Sequence, residues 1–318
     1  MANLILNAFA FKEDFQTSMQ LTGKMNEEKL TLYMENIFVS LKSAALKNPK
    51  DDVMLVVNGK VPEQFRELFE KEHIKIKEVP FDRFVMPENF VWALAFFKLC
   101  ALSYVVETEN YDNFVLLDTD TITVESYEEM WQESKTGVIL YPLGHSFCHH
   151  DRERIHSDYG KLYEEPQNPV HYGGEYICGN RKALEKFMEE CGRIYERMKE
   201  KEFQIDDHTG DETILSIAAA RTGQIIAAVP YIYRYWTNDF YLISTNTMYN
   251  PVCIWHLPDE KEHAMRYFYR YYRKKGCFPD KKRCMKIAGM RVAKRPMNRY
   301  TLQYKIEGKL KKIKATVH

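Results

Sequence analysis

The first 120 residues alternate apolar runs of strand length with longer stretches of helical period, and no other feature of the chain restricts its fold as much. Asn3 to Phe11 reads as a strand, Glu27 to Lys47 as a helix with Leu30, Met34, Ile37, Phe38 and Leu41 on one face, and Val53 to Val57 as a second strand. Pro62 to Lys71 then reads as a helix and Ile74 to Val79 as a strand. A helix is predicted to begin at Pro87 and to continue from Phe90 to Val106 with apolar residues on most sides, which marks it as buried. Phe114 to Leu117 is a short apolar strand that runs straight into Asp118-Thr119-Asp120. Such alternation belongs to the α/β class, with a mostly parallel, Rossmann-like sheet flanked by helices on both faces. Ligands of these sheets bind beyond the carboxyl ends of the strands, where the acidic triplet falls.

Beyond the triplet the pattern loosens. A loop is expected from Leu143 to Pro169, then a strand near Tyr172 to Cys178, helices from Arg181 to about Lys201 and from Asp211 to Thr222, and short strands near Ile225 to Val229 and Val252 to Trp255. With 318 residues and 45% hydrophobic content, one large domain buries well over half of its unfolded surface without a disulfide or structural metal. Basic and acidic residues number 45 each, yet they are segregated. From Arg270 to His318 there are 17 Lys or Arg against Asp280 and Glu307, so a tail of about +15 follows an acidic body. The expected division is a catalytic-sized domain at 1–269 and a basic, aromatic extension at 270–318. Seven cysteines without a CxxC pair favour a reducing compartment. The N-terminus lacks a basic n-region and no run of about 18 apolar residues occurs, so neither a signal peptide nor a transmembrane helix is expected.

Asp118-Thr119-Asp120 is the sharpest chemical feature. At a strand end alternate side chains share one side, so both carboxylates can face one ligand while Thr119 points away. Two hard oxygen donors suit Mg²⁺ or Mn²⁺, and an ion held by few carboxylates completes its shell with phosphate oxygens. A metal-bound diphosphate is the expected ligand, and a solvated acidic turn is the alternative. Asp211 and Glu212 open a predicted helix after Gly210, where a carboxylate serves either chemistry or the helix dipole. Gly173 and Gly174 permit close backbone approach or mark a bulge beside a strand. Asn7, Ala8 and Phe9 end the first strand, and Asn7 offers both a donor and an acceptor.

Phe97-Lys98-Leu99, Asp118-Thr119-Asp120, Tyr172-Gly173-Gly174-Glu175-Tyr176-Ile177-Cys178-Gly179, Gly210-Asp211-Glu212-Thr213-Ile214-Leu215 and Ile254-Trp255-His256 with Lys261 occur in that order. Together they resemble the retaining sugar-nucleotide glycosyltransferases of GT-A fold, particularly the glycogenin and lipooligosaccharide galactosyltransferase family (family 8). The Gly-Gly-Glu-Tyr segment resembles the blood-group transferase family (family 6). The likeness spans most of residues 1 to 265. It implies a UDP-sugar donor and a bound Mn²⁺ or Mg²⁺, with Asp118, Asp120 and His256 as metal ligands and Asp118 also near the ribose. It implies that Lys98 helps hold the donor, that Lys261 meets the pyrophosphate, and that Asn7, Ala8 and Phe9 hold the base and ribose. Asp211 and Glu212 would lie at the reacting carbon and on the sugar hydroxyls, with Gly173, Gly174 and Glu175 beside the donor sugar or acceptor. The spacing from His256 to Lys261 is one residue shorter than the family's and lacks its glycine.

The expected activity is therefore metal-dependent hexosyl transfer from a UDP-sugar to a saccharide acceptor, with retention. The Gly-rich phosphate cradles and dinucleotide fingerprint of ATP- and NAD-linked enzymes are absent from the sequence. A sugar-1-phosphate nucleotidyltransferase is the enzyme alternative, and a non-catalytic nucleotide-sugar binding scaffold is the other. Basic residues interleaved with aromatics in the tail suit an anionic membrane surface and a glycolipid acceptor, giving a cytoplasmic protein peripheral to the inner face of a membrane. No nucleic-acid partner is expected, and packing of the tail on the acidic body is the competing reading. His145, Cys148, His149, His150 and His156 match no common zinc spacing and read as residues of a mobile loop that could close as a lid.

Overall fold

Seven strands form the central sheet of the computed structural model, which describes residues 2–11, 26–165, 167–206, 208–237 and 252–290, with residues 302, 306 and 307. They are β1 (Asn3–Phe9), β2 (Asp52–Val57), β3 (Lys75–Glu78), β4 (Asn113–Leu117), β6 (Val138–Pro142), β7 (Tyr172–Asn180) and β8 (Ile225–Ala227), in the order β3-β2-β1-β4-β7-β6-β8. Only β7 runs against its neighbours, so the sheet is mixed but mainly parallel. A smaller sheet pairs β10 (Ile254–His256) with β5 (Thr121–Thr123) and β9 (Ile232–Arg234).

Period-two side chains divide the core between the two faces. Leu4, Leu6, Met54, Val56, Phe114 and Leu116 face one layer of helices, and Ile5, Val53, Leu55, Val57, Val115 and Leu117 the other. The first layer comprises α3 (Phe97–Thr108), α5 (His150–Leu162), α6 (Arg181–Glu200) and α7 (Asp211–Thr222). The second comprises α1 (Asn26–Lys47), α2 (Glu63–Lys71), α4 (Glu128–Ser134) and α8 (Arg266–Lys275). Local signals set several ends: Asn180 caps α6 by accepting from the Ala183 N–H at 3.0 Å, and Gly223 closes α7 in the left-handed conformation at φ 75°.

Two sequence expectations need correction. The helix expected from Pro87 starts later, as a 3₁₀ turn at Ala93–Phe96 leading into α3. Glu88 and Asn89 interrupt the apolar run, and Trp92 packs against the backbone of Gly210. The expected loop from Leu143 to Pro169 contains α5, whose Ile155, Asp158, Tyr159 and Leu162 are buried at helical spacing beneath an otherwise polar surface. Helix α8 runs through residue 270, and Tyr272 enters the core beside Phe38. After it comes α9 (Lys281–Ile287), with Cys284, Ala288 and Met290 buried against the small sheet. The remainder of the expected basic extension lies outside the described residues, apart from 302, 306 and 307. All seven cysteines are free thiols, and no helix among the described residues is long and apolar enough to cross a membrane.

Candidate active site

Strand pairing assembles the site from distant sequence. β4 ends at Leu117, the Asp118 N–H donates to the Glu175 carbonyl of β7 at 3.0 Å, and the chain turns into β5. There His256 of β10 lies opposite Thr121, and Arg234 of β9 lies opposite His256. The result is a convergence of Asp118, Asp120, His256, Lys98, Lys261, Glu175, Asp211, Glu212 and Arg234 around one cleft.

The acidic triplet and His256 are neighbours in space. One ligand atom from each of Asp118, Asp120 and His256 lies within 4.8 Å of the others, with His256 Nε2 at 3.3 Å from Asp120 and 3.8 Å from Asp118. Asp120 and His256 are almost wholly buried, at 1% and 4% exposure. Burial pushes the Asp120 carboxylate up, but Lys261 and His256 prevail and hold it well below the usual range. Burial likewise opposes the His256 cation, yet Asp120 and Glu175 raise its pKa to about 9. Lys261 reaches Asp120 Oδ2 despite the shortened spacing from His256, because a 3₁₀ turn at Pro258–Glu260 and a π-helical turn at Lys261–Met265 fold it back.

Lys98 sits at the first turn of α3. Its ammonium lies 3.1 Å from Asp118 Oδ1, 3.1 Å from Asp211 Oδ2 and 2.9 Å from the Gly174 carbonyl. Burial works against its charge, and the two carboxylates more than restore it, raising the pKa. Gly174 is required here because an added Cβ would fall 2.3 Å from Asp211 Oδ2 and 2.8 Å from Lys98 Nζ. At Gly173 a Cβ would meet Glu175 and Arg234 in the same way. The two glycines thus let ion pairs close across β7.

Asp211 and Glu212 are adjacent in sequence but differ in environment. Glu212 is held on both oxygens: His171 Nε2 lies 2.7 Å from Oε2, and Arg234 donates to Oε1 at 2.8 Å. Burial raises its pKa, but Arg234 and His171 outweigh burial and keep it low. The buried Oδ2 of Asp211 lies 3.1 Å from the Lys98 ammonium as an ion pair and has no second partner. Burial raises its pKa to about 6 against the pull of Lys98, with Glu212 adding to the rise. Glu175, fully buried, accepts from Arg234 Nε at 2.7 Å and faces His256 Nδ1 at 3.3 Å. Burial would raise its pKa too, yet Arg234 and His256 lower it.

Asn7 is fully buried, and its amide nitrogen donates to the Leu117 carbonyl at 2.8 Å, tying β1 to β4 beside the site, while its Oδ1 has no partner. Ala8 is half-buried, and Phe9 is buried in edge contact with Phe11 at 5.1 Å and near Tyr33 at 5.0 Å. The cleft itself, about 240 Å³, is lined by Lys98, Asp211, Glu212, Arg234 and His256, with Trp92 and Trp236 on its sides. Sequence reasoning missed Arg234, His171 and both tryptophans. Nothing local marks them: Arg234 lies in a short aromatic strand and His171 in a segment read as the end of a loop.

No protein-family model matches the chain, and no curated protein matches it. Among solved structures it is similar to a galactosyltransferase, LgtC, in complex with donor and acceptor sugar analogs. The identity is 15% and the TM-score 0.53, over 80% of this chain and 86% of that one. An active-site mutant of the same enzyme aligns with a TM-score of 0.52 at the same identity and coverage. Mouse xyloside xylosyltransferase 1 in its apo form aligns at 11% identity with a TM-score of 0.49, covering 80% of this chain and 97% of that one. The fold is that of the GT-A glycosyltransferases, in agreement with the resemblance read from the sequence.

Proposed function

We propose that the chain is a divalent-metal-dependent glycosyltransferase that moves a hexose from a UDP-sugar to a saccharide acceptor with retention at the anomeric carbon. The observation that carries this reading is the meeting of Asp118, Asp120 and His256 with Lys98 and Lys261, against a cleft lined by Lys98, His256 and the unequal pair Asp211 and Glu212. Two carboxylates and an imidazole suit Mn²⁺ or Mg²⁺, and Lys98 and Lys261 lie against the same carboxylates. When bound, the ion neutralises charge on the diphosphate and polarises its oxygens.

The chain's own residues supply the rest. Asp118, Asp120 and His256 hold the ion, while Lys98 and Lys261 bind the diphosphate and stabilise UDP as the glycosidic bond breaks. Asp211, with a buried oxygen that has no partner besides the Lys98 ammonium, faces the reacting carbon as nucleophile or as the anion beside an oxocarbenium-like transition state. Glu212, fixed by Arg234 and His171, accepts hydrogen bonds from sugar hydroxyls, and the buried Glu175 holds Arg234 and His256 beside them. Gly173 and Gly174 leave room for the ion pairs that set these side chains. Asn7, Ala8 and Phe9 serve the nucleotide side, and Trp92 and Trp236 offer apolar faces to a sugar. Exposed Arg273, Lys274 and Lys275 of α8 begin the basic surface that would hold the protein at an anionic membrane and near a glycolipid acceptor.

Thermal shift and UDP release with UDP-glucose, UDP-galactose, UDP-GlcNAc and UDP-GalNAc, each with Mn²⁺ and with EDTA, test the reading. One donor should stabilise the protein only with metal, and Asp118→Asn, which leaves Lys98 its Asp211 partner, should abolish that response while the variant stays folded. No response to any UDP-sugar would favour a non-catalytic scaffold. Release of pyrophosphate from UTP and a sugar phosphate would instead favour a nucleotidyltransferase. NMR of the product anomer decides retention.

A further inference from the structure

We propose a second metal site, for a divalent transition ion of the borderline class with Zn²⁺ as its type, formed by His145, His149 and Asp151 where the chain enters α5. Among the described residues these three are the other group whose ligand atoms, one from each, lie within 4.8 Å of one another, and all three are half-buried. Two imidazoles and one carboxylate form a softer donor set than Asp118, Asp120 and His256, and they match three-ligand sites that keep an open position.

A hydrogen-bond chain prepares His145 for this role. His171 Nε2 lies 2.7 Å from Glu212 Oε2 and His171 Nδ1 lies 2.9 Å from His145 Nδ1, so Nε2 is the His145 ring nitrogen that this chain leaves out. This carboxylate–histidine–histidine relay is the outer-shell arrangement that orients a ligating imidazole.

The other two ligands are set by the start of the helix. The His149 ring stacks on that of His145 at 3.5 Å and 14°. Asp151 Oδ1 faces Arg154 and His150 at 3.3 Å each, while Oδ2 lies 3.9 Å from His149 Nδ1. The positive end of α5 works against a cation, and Asp151 offsets it. Metal–nitrogen bonds of about 2.0 Å place tetrahedral ligand atoms roughly 3.3 Å apart, so the group must close by about 1.5 Å and the stacked His149 ring must turn until its in-plane lone pair meets that of His145. Half-exposed side chains allow that movement. A filled site would pin residues 145 to 151 beside the cleft, next to the relay that holds Glu212.

The site requires nothing of the proposed transferase activity, and its test reads metal instead of turnover. Chelator-stripped full-length protein is titrated with Zn²⁺ by calorimetry and with Co²⁺ by visible absorption, for wild type, His149→Ala, Asp151→Asn and Asp118→Asn. Wild type should give Co²⁺ bands of a four- or five-coordinate histidine site and a Zn²⁺ equivalent that survives Asp118→Asn. His149→Ala and Asp151→Asn should each weaken that equivalent at least tenfold and erase the bands, without changing the Mn²⁺ response. A Zn²⁺ equivalent lost in Asp118→Asn but kept in both α5 variants would overturn the proposal, as would Co²⁺ bands unchanged by His149→Ala. Two α5 variants guard against one of them failing to fold.

Discussion

Two three-residue groups with metal-ligand chemistry lie among the described residues, and burial separates them. Asp118, Asp120 and His256 lie where β4, β5 and β10 meet, with Lys98 and Lys261 pressed against the carboxylates. His145, His149 and Asp151 are half-exposed at a helix entry and are neutralised in part by solvent. A buried charge needs a fixed partner, so the first group is knitted into the core and its pKa values are displaced far from ordinary ones. The second is only half-buried, and its His149 and Asp151 side chains have room to rearrange around an ion. The same donor types therefore act in one place as part of the fold and in the other as an addition to it.

That contrast predicts a hierarchy of effects. Asp120→Ala removes the buried carboxylate between Lys261 and His256 and should cost about 3–5 kcal/mol in denaturant unfolding. Asp151→Ala should stay within about 0.5 kcal/mol of wild type, and equal losses for the two would erase the distinction. Gly174→Ala, which drives a Cβ against Asp211 and Lys98, should lose about 1–3 kcal/mol and weaken any donor-induced thermal shift. Retention of both would mean that the Lys98 pair tolerates displacement.

The pH dependence of Asp211 sharpens the comparison further. Its folded pKa of about 6 lies above the ordinary 3.8, so the folded state holds the proton more tightly. Stability should therefore fall as pH rises between those values and level off above them, and Asp211→Asn should remove the slope. If the ionised group acts at the reacting carbon, UDP release should fall about tenfold per pH unit below 6. His149→Ala should leave that limb in place. His149→Ala should also change stability little, by no more than about 1 kcal/mol for loss of its capping contact to the Asp151 N–H, as read by denaturant unfolding.

Much of the first half was legible in the sequence because period and burial coincide there. The helix expected from Glu27 to Lys47 is α1, and the strands around Val53 to Val57 and Phe114 to Leu117 are β2 and β4. The helix α5 was missed because its apolar stripe is narrow and its surface strongly charged, although Ile155, Tyr159 and Leu162 carried the period. At the site, short ordered words led to Asp118, Asp120 and His256, which the structure brings together. Arg234 and His171 could not be found that way, since their meaning comes from the carboxylates they face across strands.

The sequence by itself determined the layered α/β arrangement, the strand-end placement of the acidic triplet and the segregation of basic residues toward the C-terminus. These follow from hydrophobic period, chain direction and composition, all of which are local or additive. Only the tertiary structure decided which charges pair. Lys98 joins Asp118 to Asp211, Arg234 joins Glu175 to Glu212, and His171 links Glu212 to His145. Coulomb energy and desolvation depend on distance in space and on burial, and neither is written in the spacing of residues along the chain.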